Sequence, residues 1–302
     1  MLHRAGRRGS TAGRPRLPGT RHRADAGTVT RPRLTALRRN DLTFDVRDAG
    51  PSDGAPVVLL HGFPEDSTSW SRVAPLLHDA GLRTVAPDQR GYSPGARPRG
   101  RAAYAVEHLV DDVLALLRAT GPAHVVGHDW GGNVAWALAA RAPEQVRSLT
   151  VLSTPHPRAL SRSLLRSDQA LRSVYIGLFQ LPVVPEAVLR RSLRGSLERA
   201  GLPAEDADRY AARMREPGAL RSALAWYRAL PLARTPVTDV EVPTTYVWGA
   251  RDPFAGRRAA ELTDDHVRAP YRFVELDAGH WLPETTPEEV AAAVLDRVSE
   301  VG

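Results

Sequence analysis

The sequence predicts an α/β protein with a doubly wound, mostly parallel sheet and an inserted block of helices. Short apolar runs at 56–60, 83–87, 123–127 and 148–153 alternate with helical periodicity, the rhythm of strand–helix–strand units in a parallel sheet. From Thr154 to about Pro236 that rhythm breaks into consecutive helical patterns with no convincing strand. Strand-like runs return at 244–248 and 271–276.

Each element carries its own signal. Residues 42–46 alternate like a strand, and Gly50-Pro51-Ser52-Asp53-Gly54 reads as a turn. Helices are expected over about 70–80 and, with amphipathic spacing, over 104–119. Four more are expected in the inserted block, at 164–179, 186–197, 204–215 and 219–230, and a last one at 287–298. At 302 residues the chain accommodates one large domain with an insertion. The expected division is an Arg-rich disordered extension over 1–38, a core over 39–154 and 239–302, and a helical cap over 155–238.

Charge separates the extension from the rest. Residues 1–40 hold 11 arginines against one acid, whereas the remaining 262 residues carry a net charge of −3. All 41 basic residues are arginine. The extension lacks interleaved aromatics and amphipathic spacing, so no nucleic-acid partner is expected. Cysteine is absent, which excludes disulfides and thiol chemistry. No apolar run reaches the length of a membrane span, and no apolar stretch follows the first arginines as in a secretory signal. A cytoplasmic protein with no membrane partner is expected; whether it is a monomer or a homodimer is not legible.

The chemistry gathers at three turns. Val125-Val126-Gly127-His128-Asp129-Trp130-Gly131-Gly132 reads as strand, abrupt turn, helix, the geometry of a nucleophile elbow. Glycines on either side leave room for so tight a turn, and the residue at its apex is Asp129, a carboxylate able to attack carbon and be carried as an ester. Helix capping is the competing role for this aspartate. Gly50–Gly54 also fits G-x-S-x-G, but it precedes a strand and opens no helix, so Ser52 is not a nucleophile. Asp252 and His280 follow later strands, giving the order nucleophile, acid, histidine. His266, the other histidine beyond the insertion, falls in a helical stretch.

From about Leu42 onward the chain resembles the α/β-hydrolase superfamily and, within it, the epoxide hydrolases. His61-Gly62-Phe63-Pro64 looks like that family's H-G-x-P loop, Gly127–Gly132 like its G-x-D-x-G-G elbow, and Gly279-His280-Trp281 like its catalytic-histidine turn. In the insertion, Trp226-Tyr227-Arg228 and Tyr175-x-x-x-Phe179-Gln180 resemble the segments carrying the family's two cap tyrosines, with Tyr210 as a fallback. The resemblance implies an α/β-hydrolase fold and an Asp129 nucleophile. It further implies water activation by His280 oriented by Asp252, and epoxide activation by Tyr175 and Tyr227. The Phe63 and Trp130 backbone N–H groups would form the oxyanion hole, and His61, Pro64, Phe179 and Trp281 would contact a small-molecule epoxide. No cofactor or metal is implied.

Two other readings share parts of this pattern. A haloalkane or haloacid dehalogenase uses the same nucleophile, and the Trp130 indole could hold halide. However, Phe63 stands where haloalkane dehalogenases carry asparagine, and Trp130 stands where fluoroacetate dehalogenases carry arginine. A non-catalytic small-molecule binder on the same scaffold would not need the full Asp129, Asp252 and His280 set.

Overall fold

The computed structural model describes residues 32–164 and 167–301. Eight strands form one sheet: β1 (Ala36–Arg39), β2 (Leu42–Ala49), β3 (Pro56–Leu60), β4 (Arg83–Pro87), β5 (Ala123–His128), β6 (Val146–Leu152), β7 (Thr244–Gly249) and β8 (Tyr271–Leu276). Their order is β1-β2-β4-β3-β5-β6-β7-β8, with β1–β2 and β2–β4 antiparallel and every later pair parallel. The central strands β4, β5 and β7 are buried at every position, as parallel strands covered on both faces must be.

Alternate residues of those strands serve two separate cores. Val58, Leu60 and Val125 face α2 (Val106–Thr120) and α3 (Trp130–Arg141). Val57, Leu59 and Val126 face α1 (Val73–Asp79) and the C-terminal helix. Between β6 and β7 the chain runs through α4 (Pro157–Ser163), α5 (Gln169–Arg172), α6 (Val174–Leu178), α7 (Val184–Arg199), α8 (Ala204–Met214) and α9 (Ala219–Ala229). After β7 come α10 (Arg257–Glu261), α11 (Leu282–Thr285) and α12 (Pro287–Ser299). The fold is that of an α/β hydrolase.

Two expectations are corrected. The Arg-rich extension does not reach residue 38, because Ala36–Arg39 forms β1, with Leu37 opposite Phe44 and buried in the core. Arginines around that single leucine hid the strand. The expected disorder of the preceding residues falls largely on 1–31, outside the described residues. The helix expected at 164–179 is instead two short pieces, α5 and α6, preceded by a separate α4 that begins at Pro157 behind a His156 cap whose ring accepts from the Arg158 N–H at 3.2 Å. Serine hydroxyls compete for the backbone here: Ser167 Oγ donates to the Ser163 carbonyl at 2.8 Å, and the Gln169 N–H donates to Ser167 Oγ at 3.2 Å.

Candidate active site

Asp129 joins β5 to α3 with φ +49° and ψ −119°, a conformation that costs a non-glycine residue free energy and persists only where the surroundings enforce it. The enforcement is steric. A Cβ on Gly131 would lie 2.1 Å from the Leu60 carbonyl oxygen, and one on Gly127 would lie 2.4 Å from that of Gly131. The backbones therefore approach as only glycine permits.

Three strand ends converge on this carboxylate. Asp129 Oδ1 accepts the Phe63 N–H at 2.8 Å, and Oδ2 lies 3.6 Å from His280 Nε2, an ion-pair distance longer than a hydrogen bond. His280 Nδ1 is 2.8 Å from Asp252 Oδ2, while Asp252 Oδ1 accepts the N–H groups of Phe254 at 2.7 Å and Ala255 at 3.1 Å. Asp252 is thus fixed at both oxygens and fixes the imidazole in turn. Trp130 opens α3, so its N–H is among those with no acceptor within the helix.

Electrostatics separate the charges sharply. Burial disfavours an imidazolium at His280, but the charge of Asp252, contacts to Asp129 and Asp252, and the charge of Asp129 outweigh it and push the pKa up to about 10. Burial likewise opposes ionisation of Asp129. The adjacent His280, the charge of His128 and the Phe63 N–H prevail and hold it below the usual carboxylate range. The resting pair is imidazolium and carboxylate.

Above the pair lies an aromatic cage. Tyr227 meets Phe63, Trp130 and Phe179 edge-on at centroid distances of 5.4, 5.0 and 5.0 Å. Tyr175 lies 6.0 Å from Tyr227 and 5.6 Å from Phe254, which itself packs 4.8 Å from His280. Burial, then the charges of Asp129 and Asp252, raise the Tyr175 pKa; burial, then Tyr175 and the charge of Asp129, raise that of Tyr227. Both phenols stay protonated at neutral pH. A carboxylate, an oriented imidazole and two O–H donors share one aromatic-lined space, a set able to open a strained ether and hydrolyse the resulting ester.

Other sequence candidates sit differently. His61 is fully buried; its Nε2 accepts the Gln89 N–H at 3.0 Å and its Nδ1 lies 3.0 Å from the Gly62 carbonyl oxygen. It shapes the loop from behind and has no nitrogen left for a ligand. Trp281 is also buried, its indole donating to the Ala200 carbonyl at 3.1 Å. Pro64 is buried behind Phe63, whereas Phe179 belongs to the cage. Tyr210 donates to Glu284 Oε1 at 2.7 Å and drops out as the second cage tyrosine. His266 stacks on His156 at 4.7 Å and pairs with Asp239. Ser52 lies in the turn before β3, at the opposite end of the sheet.

Some members were not foreseen. Phe254 closes the cage beside Asp252. His128, one residue before Asp129, lies with Nδ1 2.8 Å from Glu65 Oε1, while Nε2 and Ser153 Oγ meet the His280 carbonyl at 2.9 and 2.7 Å. Glu65 Oε2 also accepts the Gly62 N–H at 2.7 Å. The adjacency of His128 to the nucleophile and of Glu65 to H-G-F-P was the available signal. Behind Trp130 and Trp226, toward Leu109, Asn133 and Val237, lies a cavity of about 540 Å³.

The alpha/beta hydrolase fold family model matches residues 55–287. The chain is 40% identical over 274 residues to the AB hydrolase superfamily protein YfhM of Bacillus subtilis, with 86% of this chain and 96% of that protein covered. It is 33% identical to Epoxide hydrolase A of Mycobacterium tuberculosis, with 85% and 94% covered. The crystal structure of Epoxide Hydrolase A from Mycobacterium thermoresistibile superposes with a TM-score of 0.76 at 30% identity, covering 88% of this chain and 98% of that one. Fold and sequence agree, and the chain belongs to the α/β-hydrolase family, among its epoxide hydrolases.

Proposed function

We propose that this chain hydrolyses epoxides to vicinal diols through an ester on Asp129, with the helical insertion acting as the cap that brings Tyr175 and Tyr227 to the reacting oxygen. The observation that carries this reading is the Asp129 carboxylate, held by the Phe63 N–H beside the Asp252-bound His280, within an aromatic cage that includes Tyr175 and Tyr227. Asp129 attacks a ring carbon, the C–O bond breaks, and a tyrosine O–H protonates the departing alkoxide. The ester has no charge, so His280 loses part of what held its proton and returns that proton to the phenolate. Neutral His280, oriented by Asp252, then takes a proton from water as the hydroxide adds to the ester carbonyl. The tetrahedral oxyanion meets the N–H groups of Phe63 and Trp130. As the intermediate collapses, the ester C–O bond breaks and the diol oxygen takes the proton of the added hydroxyl, so diol leaves with Asp129 a carboxylate and His280 an imidazolium.

His280→Gln tests the sequence of steps. The variant should accumulate a covalent adduct with the whole mass of a supplied epoxide, and Asp129→Asn should abolish it, as read by intact-protein mass spectrometry. An adduct from a haloalkane lighter by HX, with none from any epoxide, would make the chain a dehalogenase instead.

A further inference from the structure

Eleven large apolar side chains are exposed among the described residues, and eight of them fall between positions 164 and 188. Scattered exposed leucines are ordinary, but a cluster of this kind marks an interaction surface. Val174 and Leu178 stand outward from α6 at 54% and 57% exposure, while Tyr175 and Phe179 turn inward to Tyr227. Leu181, Val183, Val184 and Val188 extend the apolar strip into α7 at 48%, 73%, 57% and 56%.

The turn within the strip is pinned from beneath. Val183 has φ +66°, a costly conformation for a β-branched residue. Beneath it Arg228 donates to the carbonyls of Phe179 at 3.0 Å and Leu181 at 2.7 Å and pairs with Glu186 at 2.6 Å. Among the described residues, the charge left unpaired beside the strip is positive. Asp168 and Glu186 are already engaged by Arg172 and Arg228. Arg190 and Arg191 stand exposed on α7 with no ion-pair partner among the described residues.

We propose that the outward face of α6, the 179–183 turn and the start of α7 form an interfacial docking surface for an anionic lipid bilayer. Valines and leucines enter the boundary between headgroups and acyl chains, and the arginines meet the lipid charge. A second copy fits less well: an isologous contact would set Arg190 and Arg191 against their own copies with no free acid opposite. If the chain opens epoxides as proposed above, docking there sets the cage, through Tyr175 and Phe179 of the same segment, on the bilayer side of the protein. Docking itself does not depend on that activity.

The full chain should co-sediment with phosphatidylglycerol-containing vesicles and not with pure phosphatidylcholine. Val184→Glu with Val188→Glu, and separately Arg190→Glu with Arg191→Glu, should each weaken binding at least about tenfold. Thermal midpoint and turnover in vesicle-free buffer should not change. Residues 1–31 are present in every variant, so binding that survives the valine changes belongs to the Arg-rich extension and overturns the proposal. A dimer in analytical ultracentrifugation that the valine changes dissociate, or no binding to anionic vesicles, also overturns it. Vesicle binding without turnover of any epoxide upholds the surface and strikes the proposed function alone.

Discussion

Tyr227 combines two duties that a single atom separates. Its ring packs against Phe63, Trp130 and Phe179, and its hydroxyl is the proposed proton donor. Tyr227→Phe keeps the ring contacts and should slow ester formation about 100-fold, as should Tyr175→Phe, with ester hydrolysis unaffected in single-turnover measurements. A double variant with unchanged turnover would remove both tyrosines from the mechanism. His280 offers a second test. Its pKa rises from 6.5 in the unfolded chain to about 10 in the fold. The stability it contributes is therefore complete below pH ~6.5 and lost as pH rises through ~10. The thermal-midpoint advantage of the wild type over His280→Gln should shrink by several degrees between pH 7 and pH 10. Asp129 was legible because only a tight turn needs its flanking glycines. Phe254 was not, because a phenylalanine after a proline carries no sign of which ring it will face.

At the scale of elements, a buried polar cluster that no periodicity reveals ties α8 to α11 and to the turn before α1. Tyr210 of α8 reaches Glu284 of α11, and Arg72 lies 2.8 Å from Asp206 of α8. Burial, then the charge of Glu65, pushes the Glu284 pKa up from 4.5 to about 8. The fold's stability should fall across that interval as pH rises, because the unfolded chain ionises first. Glu284→Gln should escape this loss, so its midpoint should gain on the wild type between pH 5 and pH 8 in thermal melts. Strands β3 to β7 could be read from their apolar runs because both faces are covered; β8 kept its strand pattern although it lies partly exposed at the sheet edge. The pieces α4 to α6 could not, because serine-to-backbone bonds cut a pattern that apolar spacing alone would have continued.

For the whole molecule, the insertion is attached unevenly. Arg213 of α8 pairs with Asp88 at 3.0 Å, and Trp226 of α9 donates to the Arg90 carbonyl at 2.8 Å. Nine of the eleven residues of α9 are buried, whereas none of the five in α6 is. Hydrogen exchange should therefore be faster in α6 than in α9, with α9 protected to an extent approaching β5. Equal protection would mean that the insertion opens only as a unit.

The placement of that insertion bears on descent. β6 and β7 are parallel neighbours in the sheet, so they need a crossover of some length in any case, and lengthening it adds only slowly to the entropy of closure. The two aspartates and the histidine lie outside this segment, and both tyrosines lie within it. On the proposed mechanism, the ester chemistry of Asp129 and His280 and the activation of the opening ring are thus carried on different stretches of chain. Evolution, or a chimera exchanging residues 155–238, can retune the second while leaving the first untouched.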